Sequence, residues 1–193
     1  MILLVVLAVL AASVPLAGGR LSELADLRLR GIRWLIAALV VQILILAVLD
    51  GGDPTLLGAT YVATFLVAGT FIWVNRRVPG VLLLGLGGAL NAIVITANGG
   101  VMPARPGALE AAGRPLVEDG FRNSTALADP HLPWLGDTFA MPSWMPLANV
   151  FSIGDVIIVI GAAVLLHVTC GSCLADSRRR RRRELRVAPE AGA

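Results

Sequence analysis

Lysine does not occur in this chain. All 16 basic side chains are arginine, a bias that reads as GC-rich coding and points to a bacterial source. Charge of either sign is sparse: 15% of the residues are charged and 56% are hydrophobic, with a mean hydropathy of +0.80. That balance excludes an ordinary water-soluble domain, and 193 residues are too many for a single anchor. An integral membrane protein is what remains. Cysteine is almost absent too. The two present, Cys170 and Cys173, lie beyond the last apolar run and give no sign of an extracellular disulfide framework. No basic residue precedes the opening apolar stretch "MILLVVLAVLAASVPLAGG", so a secretory signal lacks its charged head. A retained first helix is expected instead.

Apolar runs are what the sequence does have. A hydrocarbon core about 30 Å thick needs about 20 helical residues. Five stretches qualify, at residues 2–16, 33–49, 55–74, 78–97 and 150–168. Tilt and snorkelling arginines accommodate the shorter ones. No alternating strand pattern competes, and inside lipid the backbone must bond to itself, so these are helices. The expected fold is all-α, a polytopic membrane bundle of five transmembrane helices. Residues 1–175 form one transmembrane domain, and 176–193 form a disordered basic tail.

The connections give the orientation. Arg20, Arg28, Arg30 and Arg33 follow the first run, Arg76 and Arg77 the third, and the 178–183 arginine run with Arg186 the fifth. The opposite side holds only Arg105, Arg114 and Arg122. The positive-inside rule then places the amino terminus outside and the carboxyl terminus in the cytoplasm, in the plasma membrane of a bacterium. The outer connection, 98–149, carries most of the eleven prolines and two tryptophans, Trp134 and Trp144. It is too apolar for a linker and reads as an ordered cap at the lipid interface, with a short helix near 106–112.

Two aspartates stand out on the outer side. Asp155 opens the last apolar run within "SIGD", where Ser152 as N-cap and Asp155 three residues on fit a helix-capping box. An ionisable group at a membrane span is also a functional candidate by default. Asp137, eighteen residues earlier, is its natural partner. Two close carboxylates share a proton, so one can activate water while the other donates. Asn98 and Ser152 are the candidate orienting groups. In the fourth run Gly88, Ala92 and Thr96, with Gly85 and Ala89 on the next row, promise a close helix contact. Asn91 and Gln42 read as interhelical hydrogen-bonding groups.

Other motifs yield little. "HVTCGSC" offers His167, Cys170 and Cys173 but no fourth ligand, so no metal and no cofactor is expected. The arginine run of the tail fits anionic lipid headgroups, and nucleic acid is not expected as a partner. A transporter is disfavoured by the lack of an internal repeat and of mid-membrane charge.

"NGGVMP", "GFRNS", "LGDTFAMP" and "WMPLANVFSIGD" resemble the hallmark segments of the membrane family called domain of unknown function 5317, over essentially the whole chain. That resemblance implies no activity. More distantly, "RRVPGVLLLGLGGALN", "GDTF" and "FSIGDVIIVIG" are similar to segments of lipoprotein signal peptidase, an intramembrane aspartyl peptidase, over spans two to five. That likeness implies Asp137 and Asp155 as catalytic aspartates, Ser152 at a neighbouring asparagine position, and a membrane-embedded peptide or lipid-linked substrate. The chain departs from the peptidase at Val94–Ile95, where that family has Asp-Arg, and in the stretch inserted before Asp137. The expected function is a membrane protein of unassigned activity with an outer cap and a candidate aspartate pair, or alternatively an aspartyl membrane hydrolase.

Overall fold

The computed structural model describes residues 2–47, 54–116 and 124–175. The tail after 175, Arg122 and the connection at 48–53 lie outside the described residues. The chain is mostly helical. The apolar runs become α1 (Ile2–Leu16), α2 (Ile32–Ala47), α3 (Pro54–Asn75), α4 (Val81–Ala97) and α6 (Ile153–Thr169), with the short α5 (Pro106–Ala111) where a helix is expected near 106–112. Among the described residues one helix, Thr55–Asn75 in α3, is by itself long and apolar enough to cross a membrane. The other four long helices are equally apolar in character and shorter.

Two helix starts differ from the sequence expectation, each for a local reason. The apolar pattern starts the fourth run at residue 78, but α4 begins at Val81, because Gly80 sits at φ 83, a left-handed turn immediately after Pro79. The same pattern starts the fifth at residue 150, but α6 begins at Ile153. Val150 is used elsewhere: Asn149–Phe151 form β4, which pairs antiparallel with β3, Phe139–Met141. The all-α expectation is therefore amended in the outer connection. There β1 (Met102–Pro103) also pairs in parallel with β2 (Ser124–Thr125). A long segment that buries its backbone must pair its N–H and carbonyl groups, and these short ladders do so.

α4 and α6 are antiparallel and pack closest. A Cβ added at Gly87 would strike the Gly154 carbonyl, and one at Gly154 would strike the Asn91 side chain and the Gly87 carbonyl. Seven residues away, Gly80 and Gly161 oppose each other in the same way. Gly85 faces α3, where a Cβ would come within 2.5 Å of Ile72. Gly88 faces open space. The expected contact row through Gly88 is thus corrected to the row through Gly87 and Asn91. Each helical step turns the side chain by about 100°, so adjacent glycines point at different neighbours.

Polar pins join the remaining helices. Gln42 of α2 donates to the Thr64 hydroxyl of α3 at 2.6 Å. The Asn75 amide of α3 both donates to the Arg30 carbonyl and accepts from its N–H, each at 2.8 Å. α1 lies along α6, with Val14 fully buried. Its end is tied to the last turn: Arg20 N–H donates to the Cys170 carbonyl at 3.0 Å, and Cys173 N–H to the Ala17 carbonyl at 2.9 Å. These contacts gather residues 17–30, 75–80 and 167–175 at one end of the bundle. The described parts of the outer connection, 98–116 and 124–151, occupy the other end.

Candidate functional site

The cap is clamped to the helix ends by an apolar cluster and a set of hydrogen bonds. Met102 packs with Ile45, Leu57, Tyr61, Val94 and Ile95, and Leu132 and Leu135 close over them. A second cluster, Ala104, Leu109, Ala112 and Val150 among its members, holds α5 against the β3–β4 hairpin. Gly100, at φ 99, lets the chain leave α4 pressed directly on Gly58 of α3.

Asp155 lies under this cap at the start of α6. Ser152 Oγ accepts from the Asp155 N–H at 3.1 Å, and Asp155 Oδ2 accepts from the Ser152 N–H at 2.9 Å, which completes the capping box. Asn91 joins it from α4. Its amide donates to Asp155 Oδ1 at 2.8 Å, while its carbonyl oxygen accepts from Ser152 Oγ at 2.8 Å. Three side chains thus form a closed ring across the glycine-lined α4–α6 contact. Both Asp155 oxygens accept hydrogen bonds at the start of α6, where the first backbone amides of a helix lack intrahelical partners.

Asp137 is placed differently. It lies in the cap, bridged in parallel to Ala104, with its N–H on the Pro103 carbonyl and its own carbonyl accepting from Arg105 N–H, both at 2.9 Å. The residue is 4% exposed, and Oδ2 accepts from Ser124 Oγ at 2.6 Å. Burial pushes its carboxyl up to about 6, opposed by the Ser124 hydrogen bond, reinforced by the charge of Asp155 and opposed by that of Arg114. Arg114 itself donates to Asn149 Oδ1 at 2.9 Å. The two aspartates are therefore within electrostatic reach, and both also act on the Tyr61 phenol of α3. No hydrogen bond joins their carboxyls among the described residues.

The four candidate residues separate into two groups. Ser152 and Asp155 share the capping box, and Asp137 lies across the cap with Ser124. Asn98 touches neither carboxylate. Its side chain accepts from the His131 N–H and donates to the His131 carbonyl, both at 2.9 Å, and so pins the cap to the end of α4. Asn91 occupies the orienting position beside Asp155 instead. Its depth in an apolar helix is the sequence signal for that role. Ser124 is the residue the sequence reading missed, and no local pattern marks it.

Among the described residues no cluster of three His, Cys, Asp or Glu side chains could hold a metal ion. His167 is engaged otherwise. Nε2 lies 3.1 Å from Ser13 Oγ and Nδ1 lies 2.8 Å from Ser172 Oγ. The Ser13 hydroxyl already donates to the Leu10 carbonyl at 2.7 Å, which makes Nε2 the donor to Ser13 Oγ.

The profile of a family described as "Family of unknown function (DUF5317)" matches residues 26–167. A protein of Thermotoga maritima, described as an uncharacterized protein, is 33% identical over 102 residues, which is 49% of this chain and 54% of that one. The chain thus spans about half the length of that relative. No solved structure matches. Neither match is a lipoprotein signal peptidase.

Proposed function

The chain belongs to the DUF5317 family of unknown function, and from that starting point we propose that it is a five-span bacterial plasma-membrane protein that works at the outer face through its folded cap. The amino terminus is outside and the carboxyl terminus in the cytoplasm. One observation carries this reading: the bundle gathers the connections that hold Arg20, Arg28, Arg30, Arg76 and Arg77 at one end and the proline-rich cap at the other. α6 ends at the arginine end, and on this reading the arginine run that follows it in sequence contacts anionic headgroups. α1, α2, α4 and α6 are apolar along their length and span with their flanking turns included. Cysteines introduced into a Cys170→Ser, Cys173→Ser background test it. Gly107→Cys should react with an impermeant maleimide on intact cells, and Arg77→Cys only after permeabilisation. External labelling of position 77 would overturn the topology.

A second reading, an aspartyl hydrolase acting on a membrane peptide or lipid-linked substrate, rests on the contrast between the two carboxylates. Asp155 accepts hydrogen bonds on both oxygens, while Asp137 is buried and its carboxyl is pushed up to about 6. Such a split assigns base and acid. Asp155 would take a proton from water as its oxygen attacks the scissile carbonyl, and Asp137 would protonate the leaving group. The cap would have to shift to bring both carboxyls to one substrate. Activity in proteoliposomes should rise toward pH 6 and vanish in both Asp137→Asn and Asp155→Asn. Cleavage that survives either substitution excludes this chemistry.

A further inference from the structure

The cap carries a recess that the aspartate pair does not line. An open groove of about 630 Å³ runs between the β1–α5 turn and the segment around Trp134, lined in part by Arg105, Pro106, Pro133, Trp134, Thr138 and Phe139. Thr138 and Phe139 both line it, whereas Asp137, bonded to Ser124, does not.

Its walls are rigid and apolar, made of prolines and two aromatic rings. Trp134 is 66% exposed and Phe139 is 45% exposed, and Phe139 is held in place by stacking on Phe151 at 5.5 Å. Among the described lining residues Arg105 carries the one charge. Arg105 is exposed, and among the described residues no ion pair or side-chain hydrogen bond holds its guanidinium. Apolar walls with a single unneutralised guanidinium at the mouth complement an amphiphile that has an apolar body and an anionic head. Placed at the outer end of the bundle with the exposed Trp144, the groove sits where tryptophans meet headgroups.

We propose that this groove binds an anionic phospholipid of the outer leaflet, its phosphate on Arg105 and the upper part of its acyl chain against Trp134 and Phe139. The proposal rests on the membrane reading above, and its test separates the two. Two variants each keep one tryptophan. One keeps Trp134 (Trp34→Phe, Trp73→Phe, Trp144→Phe), and the other keeps Trp73 of α3 (Trp34→Phe, Trp134→Phe, Trp144→Phe). Every tryptophan replaced is exposed, so the fold should survive. Both are reconstituted in vesicles of phosphatidylcholine and phosphatidylglycerol in which one or the other lipid carries brominated chains. Trp134 should be quenched more strongly by brominated phosphatidylglycerol than by an equal fraction of brominated phosphatidylcholine. Arg105→Gln in the same background should reduce that preference about fivefold, the effect of one arginine near a lipid surface. Equal quenching by the two lipids, or a preference unchanged by Arg105→Gln, overturns the groove as an anionic-lipid site. Quenching of Trp73 without quenching of Trp134 overturns the groove and leaves the membrane reading intact. Quenching of neither overturns both.

Discussion

Asp137→Asn should make the protein more stable at neutral pH, although it removes a buried, hydrogen-bonded group. The carboxyl is 4% exposed and keeps its proton to about pH 6, against 3.8 for a free side chain. Its folded-state pKa is raised, so the stability it contributes is full below pH 3.8 and is lost as pH rises through about 6. A difference of about two units corresponds to about 3 kcal/mol lost at pH 7.5, at 1.36 kcal/mol per unit. Asparagine stays neutral throughout and can still accept from Ser124 Oγ through its amide oxygen. The variant should therefore match the wild type near pH 4 and exceed it by up to about 3 kcal/mol at pH 7.5. For a chain of this size that is a rise of about 6–12 °C in unfolding temperature. Thermal unfolding in mild detergent, followed by circular dichroism at closely spaced pH values, measures both quantities. A variant less stable than wild type at pH 7.5, or one with the same pH slope between 4 and 6, would refute the reasoning.

Three further outcomes follow from the packing and the caps. Gly87→Leu should destabilise the bundle by about 1–3 kcal/mol through overpacking against α6, while Gly88→Leu, which meets open space, should leave the unfolding temperature in detergent unchanged. Ser152→Ala removes the cap oxygen of α6 and a donor to Asn91, and should cost about 1–2 kcal/mol; a neutral result would mean that the ring with Asn91 and Asp155 is not formed. Ser13→Ala should loosen α1 from α6 and raise proteolysis in the 17–30 connection, whereas Thr60→Ala, which loses only an exposed bond within its own helix, should not.

Local chemistry was legible in the sequence, and the long-range pairings were not. The capping box was readable from Ser152 and Asp155 because it spans one helical turn. The start of α6 was still misjudged, because Val150 and Phe151 are as apolar as the helix they precede. Gln42 and Asn91 were readable as interhelical groups, since an amide deep in an apolar helix needs a partner. The glycine contact was placed one residue off, because "GLGGAL" offers small residues on several adjacent rows and spacing does not say which row meets which helix. The strands of the cap are two or three residues long, too short to show a period. The bond from Ser124 to Asp137 depends on how a fifty-residue connection folds back on itself. Asn98 reads as a site residue because it shares a helix face with Asn91 seven residues earlier, but its amide is spent on the backbone of Val94 and His131.

The tie between α1 and the end of α6 has a consequence for how the chain is made. Ser13 and His167 are 154 residues apart in sequence, and the backbone bonds from Arg20 to Cys170 and from Cys173 to Ala17 close a similar distance. At about 5–20 residues per second of synthesis, α1 leaves the ribosome roughly 8–30 s before the helix it packs against. Through that interval its Ser13 hydroxyl and buried Val14 have no permanent neighbour. α4, which needs the glycine face of α6, waits as well. The bundle therefore closes only when its last helix arrives, and a chain truncated before Ile153 should be left as an open set of helices for quality-control proteases to remove.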